Sequence, residues 1–352
     1  MAFTTQTIVV FKDKYTTGLN KIPLGSLVGV KSTGELFQLT DKTNITSASI
    51  IANSYTGLDK YIMNPLSWFT KALFYGGSNA GAYLNTTTLL SPTATLVQTE
   101  STVGTVRCTL AGANVGTNAL FYGGVNGTIY FNKTTLLSPT ATLVQAESTA
   151  GTARDDLAGA NVGTNALFYG GNTSSSSVLT NKTTLLSPTA TLVQAESTVG
   201  TVRRYFTGAN VGTNALFYGG YNNTTVLNTT TLLSPTATLV QSESTVGTIR
   251  EQLAGANVGT NALFYGGYNG TTYVNTTTLL SPTATLVQAE STIGTIRNAL
   301  AGANVGTNAL FYGGWNGTTY FNTTTLLSPT ATLVQAESTI GTIRDGLVGA
   351  SL

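Results

Sequence analysis

Apolar residues come in short runs along this chain, each closed by glycine, asparagine or a Ser-Pro pair, and the runs return at a fixed distance. The clearest is Asn118-Ala-Leu-Phe-Tyr-Gly-Gly124, which recurs six times with almost no change. Its double glycines fall at Gly76-Gly77, Gly123-Gly124, Gly170-Gly171, Gly219-Gly220, Gly266-Gly267 and Gly313-Gly314, so the steps are 47, 47, 49, 47 and 47 residues. A period of this size marks a propeller, a solenoid or an array.

One full unit reads Arg250-Glu-Gln-Leu-Ala-Gly-Ala-Asn-Val-Gly, then Asn261-Ala-Leu-Phe-Tyr-Gly-Gly, a loop, Asn275-Thr-Thr-Thr-Leu-Leu-Ser-Pro282, and Thr283-Ala-Thr-Leu-Val-Gln-Ala-Glu290. These are four β-prone segments, A to D, separated by turn residues. Thr, Val, Gly and Pro fill the unit and no apolar period of 3.6 is present, which argues against a helical solenoid. Four antiparallel strands make a propeller blade, and six units make a ring of six. The chain ends fit closure. The first unit, from Lys71, has B, C and D segments but no A, while Arg344-Asp-Gly-Leu-Val-Gly-Ala-Ser-Leu352 is an A segment alone. The C-terminal strand is therefore expected to complete the first blade and leave no open edge. Small residues in segment A, as in Leu300-Ala-Gly-Ala-Asn-Val-Gly306, suit strands crowded around a central channel.

The fold class predicted is all-β, a six-bladed propeller over residues 66–352 behind a small N-terminal β module at 1–65. In that module Thr7–Phe11, Leu24–Val30 with Leu36–Leu39 across Ser32-Thr-Gly34, and Ser47–Ala52 read as strands. Attachment or homo-oligomerisation is the role expected of it, with capping of the propeller as the other reading.

The layout resembles the kelch propeller family. That family places an Arg before the first strand, ends an apolar strand in Gly-Gly and opens the next with an apolar-Asn pair, features matched here by Arg297, Phe311-Tyr-Gly-Gly314 and Phe321-Asn322. The resemblance covers about 280 of the 352 residues. It departs at the Trp common before the family's fourth strand, where this chain has Ala-Thr-Leu-Val.

Composition narrows the chemistry. Only 9% of residues are charged and the net charge is +2, without the basic stripe of a nucleic-acid binder. No run of eighteen apolar residues suggests membrane insertion, and Met-Ala-Phe-Thr-Thr-Gln lacks the character of a secretory signal. Histidine is absent, which removes the commonest metal ligand and general base, including the ligands of copper-bearing kelch-like propellers. Cys108 is the only cysteine, so neither a disulfide within the chain nor a cysteine metal site is expected. The Ser-x-Asp-x-Gly-x-Thr-Trp box of sialidase-like propellers is missing. No cofactor, no metal and no enzymatic activity are expected; Asp155, Asp156 and Glu251 are the carboxylates considered for calcium or a catalytic pair.

Every unit carries a Glu and an Arg seven residues apart: Glu100 and Arg107, Glu147 and Arg154, Glu196 and Arg203, Glu243 and Arg250, Glu290 and Arg297, Glu337 and Arg344. They are expected to form structural ion pairs at the D-to-A junctions, worth about 0.2–1 kcal/mol each if exposed.

The units differ in two places, after the Arg and after the double glycine. Alternating strand directions put both at one end of the blade, and the constant A-to-B and C-to-D turns at the other. A uniform framework with one diversified face is the pattern of a recognition surface. The candidate ligand-binding residues are Asp155, Asp156, Tyr205, Phe206, Tyr221, Glu251, Tyr268 and Trp315, a mix of aromatic platforms and carboxylates suited to sugars or protein hot spots. These features lead to an expected bacteriophage tail-fibre or tail-tip protein of the virion, bound to other virion proteins through residues 1–65 and to a host surface glycan or receptor through the variable face. Pro23–Val30 also looks like phage structural modules. The other readings are a virion decoration protein without a ligand and an intracellular kelch-type interaction scaffold.

Overall fold

The computed structural model describes residues 71–352 and, before them, the strands Ile8–Phe11, Leu27–Val30, Glu35–Leu39 and Leu58–Tyr61. The chain divides into two compact units, residues 1–68 and 69–352. In the first, Leu27–Val30 and Glu35–Leu39 pair antiparallel with Val30 opposite Glu35, as the hairpin reading requires. Ile8–Phe11 joins that sheet in parallel and Leu58–Tyr61 extends it, neither pairing being foreseen. The strand read at 47–52 lies outside the described residues.

The second unit is a six-bladed β-propeller. Five blades are built alike, for example Ala111–Val115, Asn118–Tyr122, Lys133–Leu137 and Ser148–Thr149, in the order A-B-C-D from the axis outward. The remaining blade takes its A strand from the far end of the chain: Val348–Ser351 pairs antiparallel with Ala72–Tyr75, with Val348 opposite Tyr75 and Ser351 opposite Ala72. Backbone hydrogen bonds of 2.8 Å between Lys71 and Leu352 in both directions extend the seam. Residues from both ends of the unit therefore share one sheet, which closes the ring.

The B strands form the core. Ala-Leu-Phe-Tyr is 0% exposed in every blade, the burial expected of a continuous apolar run covered on both faces. The last residue of each run, a tyrosine, packs on the phenylalanine of the next blade, from Tyr75 on Phe121 at 5.1 Å around to Tyr312 on Phe74 at 5.2 Å. Near the axis the A strands approach too closely for any side chain at their glycines. A methyl group on Gly255 would lie 2.9 Å from the Gly208 carbonyl oxygen of the neighbouring blade and 3.0 Å from the Phe264 ring.

The D strand differs from its sequence assignment. The ladder places it at Ser-Thr, as in Ser291–Thr292 beside Thr276–Leu280, and not at Thr283–Glu290. Ser281 and the threonines after it close a local turn, with the Ser281 and Thr285 hydroxyls 2.7 Å apart and Ala284 in the left-handed region at φ 58°. That turn uses up the residues before a ladder can start. Only one bridge, Leu280 to Leu286, forms on the way, and Leu286 and Val287 are left exposed. Each such segment reaches the next blade through its glutamine: Gln288 Nε2 donates to the Thr330 carbonyl at 3.0 Å, and Gln335 to Thr93 closes the series.

Candidate functional site

The variable residues form three concentric rings on one face. The innermost consists of the second residue after each arginine: Thr109, Asp156, Tyr205, Gln252, Ala299 and Gly346. All six have φ between 50° and 57°. Each backbone N–H donates to the carbonyl of the preceding blade's member, Asp156 to Thr109, Tyr205 to Asp156, Gln252 to Tyr205, Ala299 to Gln252, Gly346 to Ala299 and Thr109 to Gly346, at 2.6–3.1 Å. The result is a closed crown of six hydrogen bonds around the axis. With its backbone donors and acceptors mutually engaged, the crown lines the mouth of the channel.

The middle ring is the first residue after each arginine, and the outer ring is the residue after each double glycine. They are joined by antiparallel bridges: Cys108 with Val125, Asp155 with Asn172, Arg204 with Tyr221, Glu251 with Tyr268, Asn298 with Trp315 and Asp345 with Ser78. Thus the two variable segments meet directly, through paired N–H···O=C bonds such as those of Glu251 and Tyr268 at 2.9 Å. The double glycine makes the approach possible. Gly267 has φ 108°, and a side chain there would collide with the Glu251 carbonyl.

Aromatic side chains of the outer ring and its loops run together across two blades. Tyr268 packs on Tyr273 at 5.1 Å, Tyr273 meets Trp315 edge-on at 5.5 Å, and Trp315 stacks on Tyr320 at 6.1 Å. All four are half-buried. Gly317 admits the array, because a methyl group there would stand 2.7 Å from the Tyr273 ring. Tyr273 and Tyr320 close the loops that Tyr268 and Trp315 open, so their distance along the chain hides their adjacency. Arg204 is a second feature that residue type alone did not single out. Its guanidinium lies over the rings of Tyr205 at 4.7 Å and Tyr221 at 5.8 Å.

Three expected surface residues are not displayed. Phe206 is 5% exposed and stands where the other blades have leucine, packed on Tyr169, Phe217 and the Arg203 guanidinium. Its ring is needed for the wall below the crown. Asp155 and Asp156 are also buried, at 6% and 8% exposure. Burial pushes the Asp155 carboxyl up to about 6, against the opposing hydrogen bonds and the charge of Arg204. Burial and the neighbouring Asp155 raise Asp156 well above the carboxylate range, and the Tyr205 hydroxyl is hydrogen-bonded to it. Glu251 is half-buried and raised by burial, with Arg204 opposing. No group of three or more carboxylate or cysteine side chains among the described residues is placed to hold a metal ion.

The Glu and Arg residues pair differently from the spacing of seven. Arg107 faces Glu147 at 4.0 Å, Arg154 faces Glu196 at 3.7 Å, Arg250 faces Glu290 at 3.6 Å, Arg297 faces Glu337 at 3.8 Å and Arg344 faces Glu100 at 3.9 Å. Arg203 reaches Glu243 through the Thr231 hydroxyl, to which it donates at 2.6 Å. Nor are these surface pairs, for each of the six arginines is 0% exposed. The reason is the crossing between blades. Each Glu accepts from the threonine of the incoming D-to-A segment, as Glu147 does from the Thr105 N–H at 3.1 Å and hydroxyl at 2.5 Å, and so ties that segment to the next blade. Burial opposes charge on the glutamates, yet the threonine hydrogen bonds and the arginine hold all six below their ordinary range.

No protein-family model matches the chain, and a search of curated proteins finds no significant match.

Proposed function

We propose that this chain is a non-enzymatic recognition protein, a bacteriophage tail-fibre or tail-tip subunit with a kelch-like propeller, which binds a host surface glycan on the three-ring face and attaches to the virion through residues 1–65. The observation that carries the binding half is the array Tyr268–Tyr273–Trp315–Tyr320. Aromatic faces offer large, rigid contact area to the C–H faces of sugars, and the polar edges of the tyrosines can hydrogen-bond hydroxyls. The loops between add amides, including Asn269 and Asn316, whose side-chain carbonyls accept from the N–H groups two and three residues ahead and fix the turn. The contrast between the two ends of the blades supports the same reading, since the scaffold repeats almost without change while the ringed face differs at each blade.

The test is a glycan array together with surface polysaccharides from intact bacteria, probed with the whole chain and with the Tyr273→Ala/Trp315→Ala variant. Saturable binding lost in the folded variant supports the proposal. A chain that binds no glycan and no cell surface overturns it in favour of a decoration protein.

A further inference from the structure

The crown opens on a pocket of about 100 Å³ at the mouth of the channel. Four consecutive blades give it a polar crescent of Thr109, Asp156, Tyr205 and Gln252, while Ala299 and Gly346 leave a two-blade gap in the rim. The residue after each of these is apolar, a leucine in five blades and Phe206 in the sixth, and the six form a collar around the same pocket. Where one water needs about 10–15 Å³, a cavity of this size admits one sugar ring and no more. It can take the end of a glycan chain but not its middle.

The crescent offers hydrogen bonds with little charge. The Tyr205 hydroxyl is bonded to Asp156, whose carboxyl is held toward its neutral form by burial and by Asp155. Gln252 gives its side-chain carbonyl to the Asn298 Nδ2–H, so its NH₂ group is what it has left for a ligand. The Thr109 hydroxyl donates to the Cys108 carbonyl at 2.9 Å and keeps its oxygen lone pairs as acceptors. Donors and acceptors beside an apolar collar match the hydroxyl edge and the C–H face of an uncharged sugar.

The gap also faces the aromatic array. Ala299 follows Asn298, which bridges Trp315, and Gln252 follows Glu251, which bridges Tyr268. The two blades that carry the array are therefore those on which the crescent ends and the gap begins. Between Ala299 and Trp315 the middle ring holds Asn298, 2% exposed and turned to Gln252, so the ring is low along the line from the array to the pocket.

We propose that the axial pocket receives the terminal, uncharged sugar residue of the glycan, which enters through the gap at Ala299 and Gly346 while the aromatic array holds the residues behind it. This rests on the glycan-binding reading and adds that the chain is read from its end.

The experiment titrates the whole chain with the methyl glycosides of glucose, galactose, mannose and rhamnose by ligand-observed NMR, in wild type, Ala299→Tyr and Gln252→Ala. The crown already holds a tyrosine in the same backbone geometry, Tyr205 at φ 57° against 50° for Ala299, so Ala299→Tyr is expected to fold and fill the gap. Wild type should bind at least one of the four saturably. Ala299→Tyr should abolish that binding, and Gln252→Ala should weaken it about fivefold, the scale of one neutral hydrogen bond. No saturable binding of any of the four, or binding that survives in a folded Ala299→Tyr, overturns the proposal. If Ala299→Tyr fails to fold, Gln252→Ala decides, and unchanged affinity there overturns it. Surface-polysaccharide binding that needs Trp315 but is unchanged in Ala299→Tyr refutes the end-on pocket and leaves the glycan reading standing. Absence of both sugar and polysaccharide binding refutes the glycan reading itself.

Discussion

Replacing Arg297 with methionine tests how the blades are joined. The guanidinium donates to the Gly313 carbonyl at 2.7 Å and the Thr323 carbonyl at 2.6 Å, donates to the Thr325 hydroxyl, lies 5.8 Å from the Tyr265 ring centre and faces Glu337 at 3.8 Å. Methionine fills much of the space but leaves those acceptors without a donor and Glu337 without its cation. Removing one partner of a buried pair costs about 3–5 kcal/mol, far above the ~0.2–1 kcal/mol of an exposed pair. At about 2–4 °C per kcal/mol the melting temperature should fall by roughly 6–20 °C. Thermal melts of wild type, Arg297→Met, Glu337→Gln and the double variant supply the check. The double variant should be less damaged than the sum of the singles, since removing both charges relieves the unpaired one. Arg297→Lys should also be costly, because an ammonium cannot reproduce the planar fork that reaches three oxygens. A loss below about 1 kcal/mol for Arg297→Met would refute the reasoning. It would mean that the arginines decorate the junctions without holding them.

Other predictions concern pH, closure and the axis. The folded-state shift of Asp156 is upward, so the protein gives up stability as pH rises from the ordinary aspartate range through the raised value; Asp156→Asn should raise the melting temperature at pH 8 and make no difference below about pH 3. The six glutamates are shifted downward, so their contribution is present above the ordinary glutamate range and lost on acidification; melts at pH 3 should be markedly lower than at pH 6. Deleting residues 347–352 removes the ladder to Ala72–Tyr75 and the two bonds to Lys71, and should convert a single cooperative melt into a broad transition at lower temperature. Gly255→Ala should destabilise by about 1–3 kcal/mol through collision with the Gly208 carbonyl and Phe264, a cost visible as a lower denaturation midpoint.

The propeller was legible in the chain because its evidence is contiguous. Ala-Leu-Phe-Tyr-Gly-Gly is one uninterrupted string, and the unmatched A segment at Arg344–Leu352 has only one blade to complete. The ion pairs were not legible, for a reason built into repetition. Glu100 precedes Arg107 by seven residues in every unit, and Arg107 precedes Glu147 by a longer interval that recurs equally well. Sequence periodicity cannot choose between them; the path of the D-to-A crossing does. Phe206 shows a signal that was present and overridden. The other five units place leucine at that position, which marks it as channel wall, but its neighbours Arg204 and Tyr205 vary and make it look like part of the diversified segment. The crown of left-handed residues had only Gly346 as a clue, because the five non-glycine members owe their conformation to the neighbouring blade. Likewise Tyr273 and Tyr320 became part of the aromatic array only once adjacent loops were placed side by side.

Recognition on the three-ring face, as proposed, can be followed from a single tryptophan. The chain has two tryptophans, Trp68 and Trp315, so a Trp68→Phe variant reports from the aromatic array alone. The decisive experiment titrates that variant with a surface polysaccharide to which the wild-type chain binds and follows its fluorescence. A saturable change in Trp315 emission with the same midpoint as binding is expected. Full binding with unchanged Trp315 emission, together with loss of binding on altering the Asn257–Asn261 turn at the opposite end of the blade, would contradict it.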